Sequence, residues 1–320
     1  MNPIDLLSQH IREDWPTAHV TMARPRHPKG VWSLDVIHAV TGLVIQWGPE
    51  SGFGVSRLDT ESYGEGPDEN FSTLDEAESR IKHLLNPIYL AIDTPDSEEA
   101  RDLIAAAGDY IGGVKIGLTH WFANDRAMIA ETVAGYDWFL DVKLYDIPTQ
   151  VEGALRSVVG LRPMFISLHT GEFKENANDN ERRSEELMML MAKHAVEREA
   201  AVSAIPQPKL LAVTIPTHLP ATPAQVLAKA QRAISCGMDG IISSPLELAT
   251  LRSELGSRPI LMTPGITLNG GPRDEQQRTA TAHQAMRSGA NYLVIGRPIT
   301  RADDPRAAAK EILDSLRIGK

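Results

Sequence analysis

The sequence predicts an α/β protein: a (β/α)8 (TIM) barrel preceded by a small α+β N-terminal domain. Three observations lead there. From residue 88 onward, eight short and mostly apolar runs alternate with eight amphipathic stretches, the pattern of a parallel sheet covered by helices. Those units occupy residues 88–320, the size of one barrel of this kind. No GxGxxG turn follows the first strand, although a doubly wound dinucleotide-binding sheet would tend to carry one. The chain has 320 residues, so residues 1–87 form a separate accessory module.

Within that module, residues 3–13 read as a short helix. Alternating stretches at His19–Arg24, Gly30–Ile37 and Gly42–Trp47 read as strands of an antiparallel meander. Pro49–Gly54 and Tyr63–Asn70 read as loops, being rich in Gly, Pro and acidic residues. Ser72–Leu85 reads as a helix. Ser72 or Thr73 can cap it, acidic residues fill its first turn, and Ala77, Ile81 and Leu84 share a face. Trp32, Trp47 and Phe53 are candidates for the small core of this module.

The barrel strands are expected at 88–92, 113–116, 138–141, 164–168, 210–214, 239–242, 259–262 and 292–295. Helices are expected at 97–107, 120–134, 149–160, 182–199, 223–235, 246–255, 281–288 and 305–317. Residues 171–183 (GEFKENANDNERR) read as a polar, mobile loop.

Composition narrows the function. The sequence is 42% hydrophobic and 23% charged, with 24 Gly and 21 Pro, which excludes coiled-coil, collagen-like and disordered classes. A formal charge of -10 argues against a nucleic-acid partner or an anionic membrane. No apolar run reaches the roughly 18 residues of a membrane span, and no signal-peptide pattern opens the chain. The lone Cys236 cannot form an intrachain disulfide, which fits the reducing cytoplasm. Its apolar neighbours Ala233, Ile234 and Met238 point to a buried, inert thiol.

Barrel enzymes place their chemistry at the C-terminal ends of the strands. Here strand one ends in Asp93, strand two carries Lys115, and strand three runs into Asp141, Lys143 and Asp146 within DVKLYDIP. Residues two apart on an extended segment face the same side, so Asp141 and Lys143 share a cavity. Buried charges need partners. A Lys-Asp-Lys-Asp array meets that need and keeps Lys143 protonated; a purely structural ion network would have the same spacing. Strands seven and eight run into Thr263-Pro264-Gly265-Ile266 and Gly296-Arg297-Pro298-Ile299. Loops at those positions commonly bind phosphate through backbone N–H groups, and Arg297 adds a bidentate donor. His169 reads as a packing histidine. His169 and His218 are isolated in sequence, so no metal site and no cofactor is expected.

At these residues the chain resembles the orotidine 5'-monophosphate decarboxylase family. The features are Ala91-Ile92-Asp93, Val114-Lys115-Ile116-Gly117, Asp141-Val142-Lys143-Leu144-Tyr145-Asp146-Ile147-Pro148, Ala212-Val213-Thr214, Thr263-Pro264-Gly265-Ile266 and Tyr292 through Thr300. They fall in the family's order over about 88–317. The resemblance implies cofactor-independent decarboxylation of a nucleotide in pyrimidine biosynthesis. Asp93 and Lys115 would hold the ribose hydroxyls. Lys143 would protonate C6 after carbon dioxide leaves, and Asp141 would sit near the departing carboxylate. Asp146 would act across a homodimer interface, so that the active sites are shared. Gln276, on a loop at 268–280 that closes over the ligand, would grip the phosphate together with Gly296 and Arg297. Thr217 or His218 would reach a ring carbonyl of the pyrimidine. Two places differ from the family's pattern: Thr149-Gln150 stands where Asn-Thr is common, and Thr217-His218 where Thr-Ser is common. Those differences keep open a related decarboxylase acting on another phosphorylated substrate. A nucleotide-binding sensor without catalysis is the third reading.

Overall fold

A computed structural model describes residues 2–27, 29–38, 41–58, 66–171, 179–215, 221–268 and 279–317. Two compact units emerge, Met1–Asn86 and Pro87–Gly319.

The first unit is a five-stranded antiparallel sheet in the order β1 (His19–Ala23), β2 (Trp32–His38), β3 (Thr41–Gly48), β4 (Gly52–Arg57) and β5 (Glu69–Phe71). Helices Pro3–Asp14 and Leu74–Leu85 complete it. Thr73 caps the second helix in a capping box with Glu76, worth about 1 kcal/mol. Ala77, Ile81 and Leu84 are buried. The expected loop at 49–54 is instead a tight hairpin leading into β4. Glycine and proline content suggested irregular chain, but Gly52 takes φ +71, where glycine has no steric penalty. A Cβ there would lie 2.5 Å from the Phe71 carbonyl oxygen. Phe53 and Val55 are then buried. The core of the unit is chiefly aliphatic. Leu34, Val36, Leu43 and Ile45 join Phe53, whereas Trp32 and Trp47 are only half-buried.

The second unit is a closed parallel barrel. Its strands are β6 (Ile88–Ile92), β7 (Gly113–Gly117), β8 (Asp137–Leu144), β9 (Phe165–His169), β10 (Lys209–Val213), β11 (Gly240–Ile242), β12 (Ile260–Thr263) and β13 (Tyr292–Ile295), with β13 pairing back to β6. The interior is plugged by Tyr89, Phe139, Phe165, Leu211, Val213, Met262 and Tyr292. Tyr89 packs edge-on against Phe165 and Tyr292, with ring centroids 5.6 and 5.5 Å apart. Such edge-to-face pairs add to the burial energy. Gly113 belongs to that packing, since a Cβ would meet the Tyr89 ring at 2.4 Å.

Two expectations for the outer layer need correction, and one helix is additional. The stretch 120–134 is two helices, Leu118–Ala123 and Arg126–Thr132. Asp125 breaks it by accepting a hydrogen bond from the Met128 N–H as an N-cap. Of the expected loop 171–183, residues 172–178 lie outside the described residues. From Asp179 the chain is already helical, through Ser203. A short helix, Arg297–Thr300, follows β13 and was not anticipated. Cys236 is buried, and burial pushes its thiol pKa up. Among the described residues, no helix is long and apolar enough to cross a membrane.

Candidate active site

The barrel mouth holds a cleft of about 760 Å³. Asp93, Lys115, Asp141 and Lys143 line one side, and Gly265, Gly296 and Arg297 also line it. The charged side chains come from three adjacent strands. Asp93 follows β6, Lys115 lies within β7, and Asp141 and Lys143 lie near the end of β8. Parallel pairing sets Ala91 beside Lys115 and Gly117 beside Asp141, which brings the polar groups to one level.

The contacts form a chain of alternating sign. Lys115 Nζ is 2.8 Å from Asp93 Oδ1 and 3.7 Å from Asp141 Oδ2. Lys143 Nζ donates to Asp141 Oδ1 at 2.8 Å. Ser167 Oγ donates to the same oxygen at 2.9 Å. The Asp141 side chain is 13% exposed and that of Lys115 8%, whereas Asp93 is 63% and Lys143 41% exposed. The middle of the array is buried and its two ends are exposed. Burial pushes the Asp141 carboxyl pKa up, but the Lys115 and Lys143 ammoniums and the bonds from Lys143 and Ser167 outweigh it. They hold the carboxyl below its ordinary range.

Asp141 and Lys143 do meet, though not by a regular pleat. The β8–β9 ladder pairs Leu140 with Ile166 and then Leu144 with Leu168. Three residues of β8 therefore face the single Ser167. Within this bulge Lys143 takes φ +49, a left-handed conformation costing a non-glycine residue about 1–2 kcal/mol. Its amide donates to Ser167 Oγ at 2.8 Å.

Gly117, at the end of β7, has a steric role that motif reading missed. A Cβ there would lie 2.1 Å from Asp93 Oδ1 and 2.9 Å from Lys115 Nζ. Ser167 was missed too. Its one sequence signal is a hydroxyl inside the apolar run FISL.

Asp146 does not join the array within its own chain. Its carboxylate is exposed and accepts the Ile147 N–H at 2.7 Å. The exposed end of the observed array is Asp93 instead. Gly296 and Arg297 line the cleft, and Arg301 joins them one turn later. Thr217 and Gln276 lie outside the described residues. Ile266 and Ala280 form an isolated bridge, and Leu268 and Thr279 line the cleft. His169 packs against Tyr145, with ring centroids 5.8 Å apart, and its Nδ1 accepts the Gly171 N–H at 3.1 Å.

Chemically, this is a fixed ammonium beside a fixed carboxylate, facing a cleft that also holds a guanidinium. Such an arrangement can bind an anion at one point and stabilise developing negative charge at another.

Comparison with known proteins bears on the family. The family model described as "Orotidine 5'-phosphate decarboxylase / HUMPS family" matches residues 86–169 and 186–312. The orotidine 5'-phosphate decarboxylase of Gluconobacter oxydans is 36% identical over 244 residues, covering 72% of this chain and 96% of the relative. That of Thermobifida fusca is 37% identical over 245 residues, covering 72% and 95%. The crystal structure of the Lactobacillus acidophilus orotidine 5'-phosphate decarboxylase superposes with a TM-score of 0.59 at 28% identity, over 72% of this chain and 99% of that one. Fold, strand-end charges and sequence thus point the same way: the chain belongs to the orotidine 5'-phosphate decarboxylase / HUMPS family.

Proposed function

We propose that the chain decarboxylates orotidine 5'-monophosphate to uridine 5'-monophosphate without a cofactor, as a step of pyrimidine biosynthesis. The observation that carries this reading is the Asp93–Lys115–Asp141–Lys143 array facing a cleft that also contains Arg297. Loss of carbon dioxide from C6 leaves a carbanion whose charge the ring does not delocalise. Lys143 Nζ, held by Asp141, stabilises that charge and delivers the proton to C6. Asp141 lies where the departing carboxylate would sit, so substrate binding sets two anions together and their separation relieves the repulsion. Asp93 and Lys115 take the ribose hydroxyls. Arg297 and the Gly296 backbone take the phosphate together with Gln276, and Thr217 takes the base. Binding energy from the phosphate then serves to order the charges around C6.

The test is direct. Purified protein is mixed with orotidine 5'-monophosphate and the pyrimidine absorbance is followed, with a xylulose- or gulonate-type sugar phosphate in parallel. Turnover of the nucleotide alone is expected. Folded protein without that turnover overturns the proposal.

We also infer a homodimer in which Asp146 of one protomer completes the array of its partner. Asp146 is exposed and unconnected to the array of its own chain; Tyr145 and Ile147 on the same loop, and Leu118 and Phe122 on the short helix after β7, are exposed apolar groups. Mixing Lys143→Ala with Asp146→Ala chains should restore about a quarter of wild-type turnover, because half of random dimers are mixed and each has one intact site. No recovery overturns the shared site. The N-terminal unit lies almost wholly outside the matched residues, and we give it an accessory role outside the reaction.

A further inference from the structure

We propose that Ser167 is a positioning residue that clamps both ends of Lys143 to Asp141. A serine hydroxyl has one donor and two acceptor sites. In Ser167 the donor goes to Asp141 Oδ1 at 2.9 Å, and an acceptor site takes the Lys143 N–H at 2.8 Å. Lys143 Nζ returns to the same Asp141 Oδ1 at 2.8 Å. A closed circuit results, running from the Lys143 amide through the hydroxyl and the carboxylate to the Lys143 ammonium.

Two features make the hydroxyl necessary. The β8 bulge removes regular ladder pairing between Leu140 and Leu144, so the Lys143 amide needs another acceptor. Lys143 also sits at φ +49, a conformation that persists only where the surroundings over-determine it. Ser167 is fully buried, so water is poorly placed to replace it. An apolar residue there would leave the amide without its partner and allow the bulge to relax, carrying the ammonium away from C6.

This assignment rests on the proposed decarboxylation, and its test separates the two. Ser167→Ala, Ser167→Val and Ser167→Thr are compared with wild type. Val and Thr have the same shape and differ in the hydroxyl. The Ala and Val variants should lose about 10²-fold in kcat, the scale expected when a catalytic group shifts by about 1 Å. Their KM should stay within about threefold, because the binding groups are not touched. Thr should rescue kcat at least tenfold relative to Val. Hydrogen exchange at the Lys143 amide supplies a readout independent of turnover and should speed up at least tenfold in the Ala variant. Wild-type kcat in the Ala variant, equal kcat in Thr and Val, or an unchanged Lys143 exchange rate would each overturn the assignment. Absent turnover in wild type overturns the proposed reaction instead, and the exchange measurement then decides Ser167 by itself.

Discussion

Replacing Gly117 by alanine separates the geometry of the array from the stability of the barrel. Gly117 has φ -86, which alanine adopts freely. The atoms in the way of a Cβ are the ends of two side chains, Asp93 Oδ1 at 2.1 Å and Lys115 Nζ at 2.9 Å. To go from 2.1 Å to the 3.4 Å where ordinary contact begins, the carboxylate oxygen must recede by about 1.3 Å. If it recedes along the Lys115 direction, the 2.8 Å pair stretches to about 4 Å. At an effective dielectric of about 20, the lost Coulomb energy is about 2 kcal/mol. Asp93 is 63% exposed, and solvent screening reduces this to about 1 kcal/mol. Where that energy is lost from the transition state it is about fivefold in kcat/KM for orotidine 5'-monophosphate, and displacement of the ribose contact proposed for Asp93 extends the expected loss toward 10²-fold. Thermal unfolding should shift by only a few degrees, because flexible side-chain ends yield before backbone does. Steady-state kinetics and a melting curve on the same preparation check both. A folded Gly117→Ala variant with kcat/KM within twofold of wild type would refute the idea that Gly117 makes room for the Asp93–Lys115 pair.

The other expectations concern single groups. Lys143→Ala should lower kcat by at least about 10³-fold, through loss of both the proton donor and the charge, while affinity for uridine 5'-monophosphate, measured by calorimetry, changes less than tenfold. Arg297→Ala should raise KM by about 10- to 100-fold, the value of a charge-assisted phosphate contact; a substrate lacking the phosphate should show no such difference between variant and wild type. The Asp141 carboxyl is held below its ordinary range, so its contribution to stability is present above the unfolded pKa near 4 and is lost as pH falls through the lower folded value. Melting temperature should therefore drop more steeply below about pH 4 in wild type than in Asp141→Asn, and parallel curves would sink this assignment. A chain starting at residue 87 should keep kcat/KM within about threefold, since the family match falls within residues 86–312; loss of turnover by the folded barrel would give the N-terminal unit a part in the reaction.

The eight βα units were legible because each strand is a short apolar run bounded by turns, and alternation of strand and helix leaves a parallel sheet with few closures. The strand-end charges were legible for a related reason: an ionised group at the end of an apolar run is costly unless the fold uses it. The hairpin at Gly52 was not legible, because the same glycines that permit a tight turn also mark an irregular loop. Asp141 and Lys143 were expected to share a face through a regular pleat. They share it through a bulge in which the Lys143 amide donates to Ser167, a residue 24 positions further on.

The sequence by itself therefore determined which residues carry charge, which strand ends they occupy and the family to which the chain is similar, because these follow from local pattern and residue identity. Tertiary structure decided what those charges touch. It placed Asp93, rather than Asp146, at the open end of the array within one chain, and it gave Gly117 and Ser167 their roles. The physical reason is that contacts set by strand register, a bulge and excluded volume depend on neighbours distant in sequence, and no local pattern encodes them.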